Sequence, residues 1–178
     1  MDIIHKLKHL EQLSLSRKIP IIGPDKGSWL ASKVKELQPK QVLELGTANG
    51  YSGIILGSEG AEVTTIDINK EIVKEAENNF KEFKIKAKLI VGDGVTIVQE
   101  LAKRKKEYFD LIYIDFAKAK YKTVLDDCIS MLKHNGYIIA DNITMDGCKD
   151  FKEAVLHNSK LKTEIIHILD GLSYSRKM

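Results

Sequence analysis

The sequence predicts an α/β protein built on a doubly wound, seven-stranded sheet, mostly parallel and closed by a C-terminal antiparallel hairpin. Two observations carry this. From Gln41 onward, short apolar runs rich in β-branched residues alternate with amphipathic stretches: QVLELG, AEVTTID, AKLIVGD, FDLIYID and GYIIAD. Strands buried on both faces read as such runs, and helical segments between them place the crossovers over the faces of a parallel sheet. The last two runs, LKTEIIHIL and GLSYSRK, are separated only by Asp170-Gly171. Asp-Gly is a tight-turn signal, so these two strands are expected to pair antiparallel.

Two helices are expected ahead of the sheet. The first covers about residues 3–15, where Ile3, Leu7, Leu10 and Ser14 recur on one side. The second opens at Pro24 or Asp25, just after Gly23, and runs to about Leu37. Helices then follow the strands at about 51–59, 69–83, 94–105, 118–132 and 148–157. The three prolines, Pro20, Pro24 and Pro39, all precede the first strand and interrupt none of these elements. A chain of 178 residues is the length of one domain, so residues 1–178 are expected to form a single unit with a short helical extension over about 1–20.

Composition narrows the function classes. The net charge is only +3, and of 28 basic side chains three are arginine: Arg17, Arg104 and Arg176. Specific DNA readout, which leans on the arginine fork, is not expected, whereas a diffuse lysine field could still attract RNA. Cys128 and Cys148 form no CxxC pair and are expected to be free thiols in a reducing cytoplasm. The N-terminal MDIIHKLKHLEQ has no unbroken apolar core, and no apolar run reaches the ~18 residues of a spanning helix, so a cytoplasmic protein without a membrane partner is expected. His5 and His9 have a zinc-compatible spacing but no third ligand, and Lys103-Arg104-Lys105-Lys106 reads as a solvated helix end. Trp29 and Tyr51 fall near the expected site and fit either the site or the core.

The chemistry begins where the first strand ends, in Glu44-Leu45-Gly46-Thr47-Ala48-Asn49-Gly50-Tyr51-Ser52-Gly53. Doubly wound sheets bind ligands at the carboxyl ends of their strands. Counting from Gly46, Ala48 stands where a dinucleotide fingerprint needs its second glycine, and Glu44 opposes a pyrophosphate but suits a cation. Asp67 closes the second strand about 20 residues after Gly46, the spacing at which an acid accepts from ribose hydroxyls. A cationic ligand bearing a ribose points to S-adenosylmethionine on this Rossmann-like scaffold. Asp93 and Gly94, after the third strand, add an acid and a small residue where an adenine would lie.

The fourth strand ends at Asp115 and the fifth at Asp141-Asn142. As neighbours in this topology, they bring two carboxylates and a carboxamide to the same sheet edge, hard oxygen donors for Mg²⁺, Mn²⁺ or Ca²⁺. Lys118, three residues past Asp115, can face the same site.

As a set these blocks resemble the metal-dependent class I O-methyltransferases, typified by the catechol and caffeoyl-coenzyme A O-methyltransferases. The resemblance covers most of residues 22–177: GPDKGSWL, VLELGTANGYSG, TTIDINKEIVKEAENNF, VGDG, FDLIYIDFAKAKY, GYIIADN and DGLSYSRK. It implies that Glu44, Gly46, Thr47, Ser52, Asp67, Asp93 and Gly94 hold S-adenosylmethionine, and that Asp115, Asp141 and Asn142 hold a divalent cation, with magnesium the first candidate. Lys118 falls at the family's catalytic lysine, beside Asp115. Such enzymes often read Asp-Ala-Asp-Lys where this chain has Asp115-Phe116-Ala117-Lys118, so the second acid is lost. The short N-terminal extension and the brief ITMDGCKDFK loop imply an open site. The expected substrate is a small catechol-like or other hydroxylated molecule; a hydroxylated tRNA base and a non-catalytic cofactor-binding role are the rivals, and a homodimer is the implied assembly.

Overall fold

A computed structural model describes residues 2–178. Its seven strands form one sheet: β1 (Gln41–Leu45), β2 (Glu62–Asp67), β3 (Lys86–Val91), β4 (Phe109–Ile114), β5 (Leu132–Asp141), β6 (Leu161–Ile166) and β7 (Leu172–Lys177). The spatial order is β3-β2-β1-β4-β5-β7-β6. Strands β1 to β5 pair in parallel, and β7 runs antiparallel to both β5 and β6. The order reverses between β1 and β4, where the crossovers change face and leave a crevice at the strand ends.

Helices cover both faces: α1 (Ile3–Ser16), α2 (Gly23–Leu37), α3 (Tyr51–Gly57) and α4 (Lys70–Glu82) on one, α5 (Gly94–Ala102), α6 (Tyr121–Met131) and α7 (Lys149–Leu156) on the other. Alternation along the central strands serves the two cores. Ile112 and Ile114 turn toward α5–α7, while Leu111 and Tyr113 turn toward α1–α4, all fully buried. On α1 the buried stripe is Leu7, Leu10 and Ser14. Both cysteines are buried and free. No helix among the described residues is long and apolar enough to cross a membrane.

Two local expectations are corrected. The segment after β4 opens as a 3-10 turn over Lys118–Lys120 before α6 begins. The terminal hairpin is not a two-residue Asp170-Gly171 turn, because β6 and β7 pair from Ile166 to Leu172, with residues 167–171 between them. The physical reason is competition for backbone groups. The Asp170 carbonyl accepts from Thr144 N–H and Oγ1 at 3.0 and 2.8 Å, and the Gly171 carbonyl accepts from Ile143 N–H at 3.2 Å. Asp170-Gly171 is thus spent on the loop that follows β5, which draws Asp170 toward the strand ends.

Candidate active site

The β1 strand turns out of the sheet at Gly46, whose φ of +101° L side chains rarely adopt. Its N–H donates to Ile66 O at 2.9 Å, and Asp115 N–H donates to Leu45 O at 2.8 Å. A Cβ at Gly46 would stand 1.9 Å from the Asp115 carbonyl oxygen, so β1 and β4 touch here through backbone alone. The loop that follows is pinned from three sides. Asp67 accepts from Ala48 N–H at 3.0 Å and Asn69 N–H at 2.9 Å, Asn49 Nδ2 donates to Ser14 Oγ on α1 at 2.7 Å, and Asn79 Nδ2 donates to Asn49 O at 2.8 Å.

Glu44 lies fully buried beneath this loop. Ser52 Oγ donates to one of its oxygens at 2.7 Å and Thr65 Oγ1 to the other at 2.6 Å, with Thr47 Oγ1 a further 2.6 Å from Thr65. Burial pushes the carboxyl up to about 8; the two hydroxyls oppose the rise, and the charges of Asp115 and Asp67 add to it. A carboxyl raised this far favours its neutral form near pH 7.

Above the floor is a cleft of about 330 Å³ whose walls include Gly46, Thr47, Ser52, Asp67, Asp93, Gly94, Asp115 and Lys118. Asp93 caps α5 through Thr96 N–H at 3.0 Å and bridges to Lys120 at 2.8 Å, which, with Thr96, holds its carboxyl at about 2. Three apolar walls escape a reading by motif. Ile68 is 72% exposed at the rim, Ile22 closes the α2 side, and Phe116 lies against Gly94 and stacks on Tyr121, centroids 5.6 Å apart. Tyr51 both lines the cleft and is buried, whereas Trp29 packs edge-on against Tyr174 in the α1–α4 core.

Asp141 and Asn142 lie beside the cleft rather than in its wall, at the end of β5, which pairs with β4 through Ile114 and Ala140. Lys118 Nζ donates to Asp115 Oδ1 at 2.7 Å. Asp141 is buried and pairs with Lys26 of α2, which also reaches Asp170. Burial and the charge of Asp115 push the Asp141 carboxyl up to about 6 against the pull of Lys26. No group of three or more His, Cys, Asp or Glu side chains suited to a metal converges among the described residues; the set predicted from the sequence, Asp115, Asp141 and Asn142, has two carboxylates and one carboxamide.

Sequence reasoning missed Lys26 and Asp170. A signal existed for the first: Lys26, Leu30 and Val34 recur every four residues, so a lysine stands on the buried stripe of α2. For Asp170 the turn reading hid it.

An O-methyltransferase family model matches residues 2–178. The chain belongs to that O-methyltransferase family. It is similar to bovine (Bos taurus) catechol O-methyltransferase, 28% identical over 164 residues, covering 87% of this chain and 59% of the relative. With catechol O-methyltransferase B of Danio rerio it is 30% identical over 165 residues, covering 87% and 61%. This O-methyltransferase-family chain thus spans about three-fifths of the length of these curated relatives. The solved O-methyltransferase of Bacillus cereus in complex with SAH superposes with a TM-score of 0.87 over 100% of this chain and 92% of that one; at 20% identity this is a likeness of fold. The family resemblance read from the motifs, and the seven-stranded mixed sheet, hold.

Proposed function

We propose that this protein is an S-adenosylmethionine-dependent, divalent-cation-dependent O-methyltransferase acting on a hydroxyl of a small catechol-like molecule. The observation that carries the reading is one shared wall: Asp115 and Lys118 line the same cleft as the glycine loop and Asp67. S-adenosylmethionine supplies a methyl group on a positively charged sulfur. Glu44, with Ser52, Thr47 and Thr65 around it, becomes a negative charge under the loop when it gives up its proton to a cationic ligand, and Asp67 stands at the strand-end position that accepts from ribose hydroxyls. Gly94 and Asp93, facing Phe116, form the adenine side of the cleft.

The donor set beside the cleft fits a hard divalent cation such as Mg²⁺. Asp115 and Asp141 follow the paired residues Ile114 and Ala140 at the ends of neighbouring strands, and Asn142 adds a neutral oxygen. A divalent cation on Asp115, Asp141 and Asn142 would supply Lewis-acid polarisation of a substrate hydroxyl. Lys118 donates to Asp115 at 2.7 Å as an ammonium; after releasing a proton to solvent, its neutral amine would take the hydroxyl proton as the oxygen–methyl bond forms and the methyl–sulfur bond breaks.

The test is transfer of labelled methyl from S-adenosylmethionine to a catechol panel, with Mg²⁺ and with chelator, and in parallel to hypomodified tRNA. Label in the catechols that disappears with chelator is the expected result. Activity undiminished in chelator overturns the cation's role, and label in RNA alone reassigns the substrate. For Lys118→Ala, turnover is expected to fall roughly 10²–10⁴-fold while cofactor affinity changes little. An equal loss in both would make Lys118 a structural residue.

A further inference from the structure

Among the described residues Lys26 is the one buried lysine, and the reaction proposed above gives it no task. A buried ammonium requires partners, and Lys26 Nζ donates to Asp141 Oδ1 and to Asp170 Oδ1. Asp141 Oδ1 also accepts from Asn142 N–H at 2.7 Å, so that oxygen is engaged twice and Oδ2 is left for another ligand. Asp170 Oδ2 meets the Asn142 side-chain amide at 2.5 Å. A carboxylate only accepts, so the NH₂ of Asn142 faces Asp170 and its carbonyl oxygen is turned away. The chain Asp141–Lys26–Asp170–Asn142 therefore ties the last residue of β5 and the residue after it to α2 and to the β6–β7 loop.

We propose that Lys26 and Asp170 are positioning residues: Lys26 fixes the Asp141 carboxylate, and Asp170 orients the Asn142 carboxamide with its oxygen toward the divalent cation. This rests on the cation reading above. Stability alone is a weak reason for such a buried pair, since apolar replacements of buried ion pairs are often neutral or stabilising. Partners that orient metal ligands, by contrast, typically change affinity 10–100-fold.

Asp170→Asn isolates the orienting bond. An amide at 170 still accepts from Lys26 through its oxygen, but it presents NH₂ to the NH₂ of Asn142. The double variant Asn142→Asp/Asp170→Asn restores one N–H···O contact with reversed polarity, keeps the total charge and leaves an oxygen donor at 142. Mn²⁺ binding, followed by the EPR signal of the free ion, SAH affinity by calorimetry, and thermal melting are measured on all three proteins. Expected are a 10–100-fold weaker Mn²⁺ affinity in Asp170→Asn with SAH affinity unchanged, and recovery to within roughly 3-fold in the double variant. Wild-type Mn²⁺ affinity in Asp170→Asn overturns the positioning role and leaves the cation reading standing. Parallel losses of Mn²⁺ and SAH affinity, or a double variant no better than the single, make Asp170 merely structural and overturn the proposal. A wild type that takes up no Mn²⁺ overturns the cation reading and this inference together.

Discussion

Glu44→Gln is expected to make the cofactor-free protein more stable at pH 8 while weakening S-adenosylmethionine binding by at least about 30-fold, since removing one partner of a buried charge pair costs roughly 2–5 kcal/mol. The buried carboxyl titrates near 8 in the folded chain and near its ordinary 4.5 when unfolded. Between those values the folded state keeps a proton that the unfolded state has released. Stability of the wild type therefore falls as pH rises from 4.5 toward 8, by about 3 kcal/mol up to pH 7 at ~1.4 kcal/mol per unit, and levels off above 8. Glutamine keeps the shape of the side chain and an acceptor for Ser52 or Thr65, and removes the titration.

Chemical denaturation at pH 5 and pH 8 reads the first half of this prediction. The wild type should lose more stability than Glu44→Gln between the two, and parallel losses would mean that Glu44 is already ionised in the fold. Calorimetry reads the second half. A cationic ligand over Glu44 should bind more tightly as pH rises toward 8 and release a proton on binding, detected as a heat that varies with the buffer's ionisation enthalpy. A pH-independent affinity would separate Glu44 from the ligand's charge.

Gly46→Ala is expected to lower the unfolding free energy by at least about 3 kcal/mol, a fall in Tm of roughly 6–12 °C for a chain of this size. Two effects act at once: the φ of +101° disfavours any side chain, and the new Cβ would stand 1.9 Å from the Asp115 carbonyl oxygen and 2.7 Å from its carbon. Neither atom is the end of a flexible side chain, so β1 and β4 would have to part. Gly60→Ala separates the two effects. Gly60 has a φ of +89° with nothing within 4 Å of its added Cβ, so only backbone strain of roughly 1 kcal/mol applies. Equal melting temperatures for the two variants would show that the strand ends yield easily. In surviving folded Gly46→Ala protein, displacement of Asp115 should also weaken Mn²⁺ binding.

Much of the molecule could be read from local pattern. Five apolar runs alternating with amphipathic stretches specify parallel strands covered on both faces, and both faces are covered by the helices that those stretches predict. The glycine loop, Asp67, Asp93, Asp115 and Asp141-Asn142 were visible because each sits at the end of a strand, and strand ends are fixed by the same hydrophobic periodicity. The second acid's absence at Ala117 was visible too, but not what the neighbouring Phe116 does, which is to stack on Tyr121 and wall the cleft against Gly94.

What only the tertiary structure decided are the relations between segments remote in sequence. Lys26 and Asp170 are 144 residues apart, and their meeting at Asp141 depends on how α2 and the β6–β7 loop pack against the end of β5. The Asp170-Gly171 pair shows the limit directly. By local propensity it is a tight turn, but the loop after β5 takes its carbonyls and opens the hairpin to residues 167–171. Glu44 as an acid was evident from the chain; its proton affinity was not. Local preferences and hydrophobic period are properties of a short window of sequence, whereas desolvation, ion pairing and competition for backbone groups depend on the whole fold.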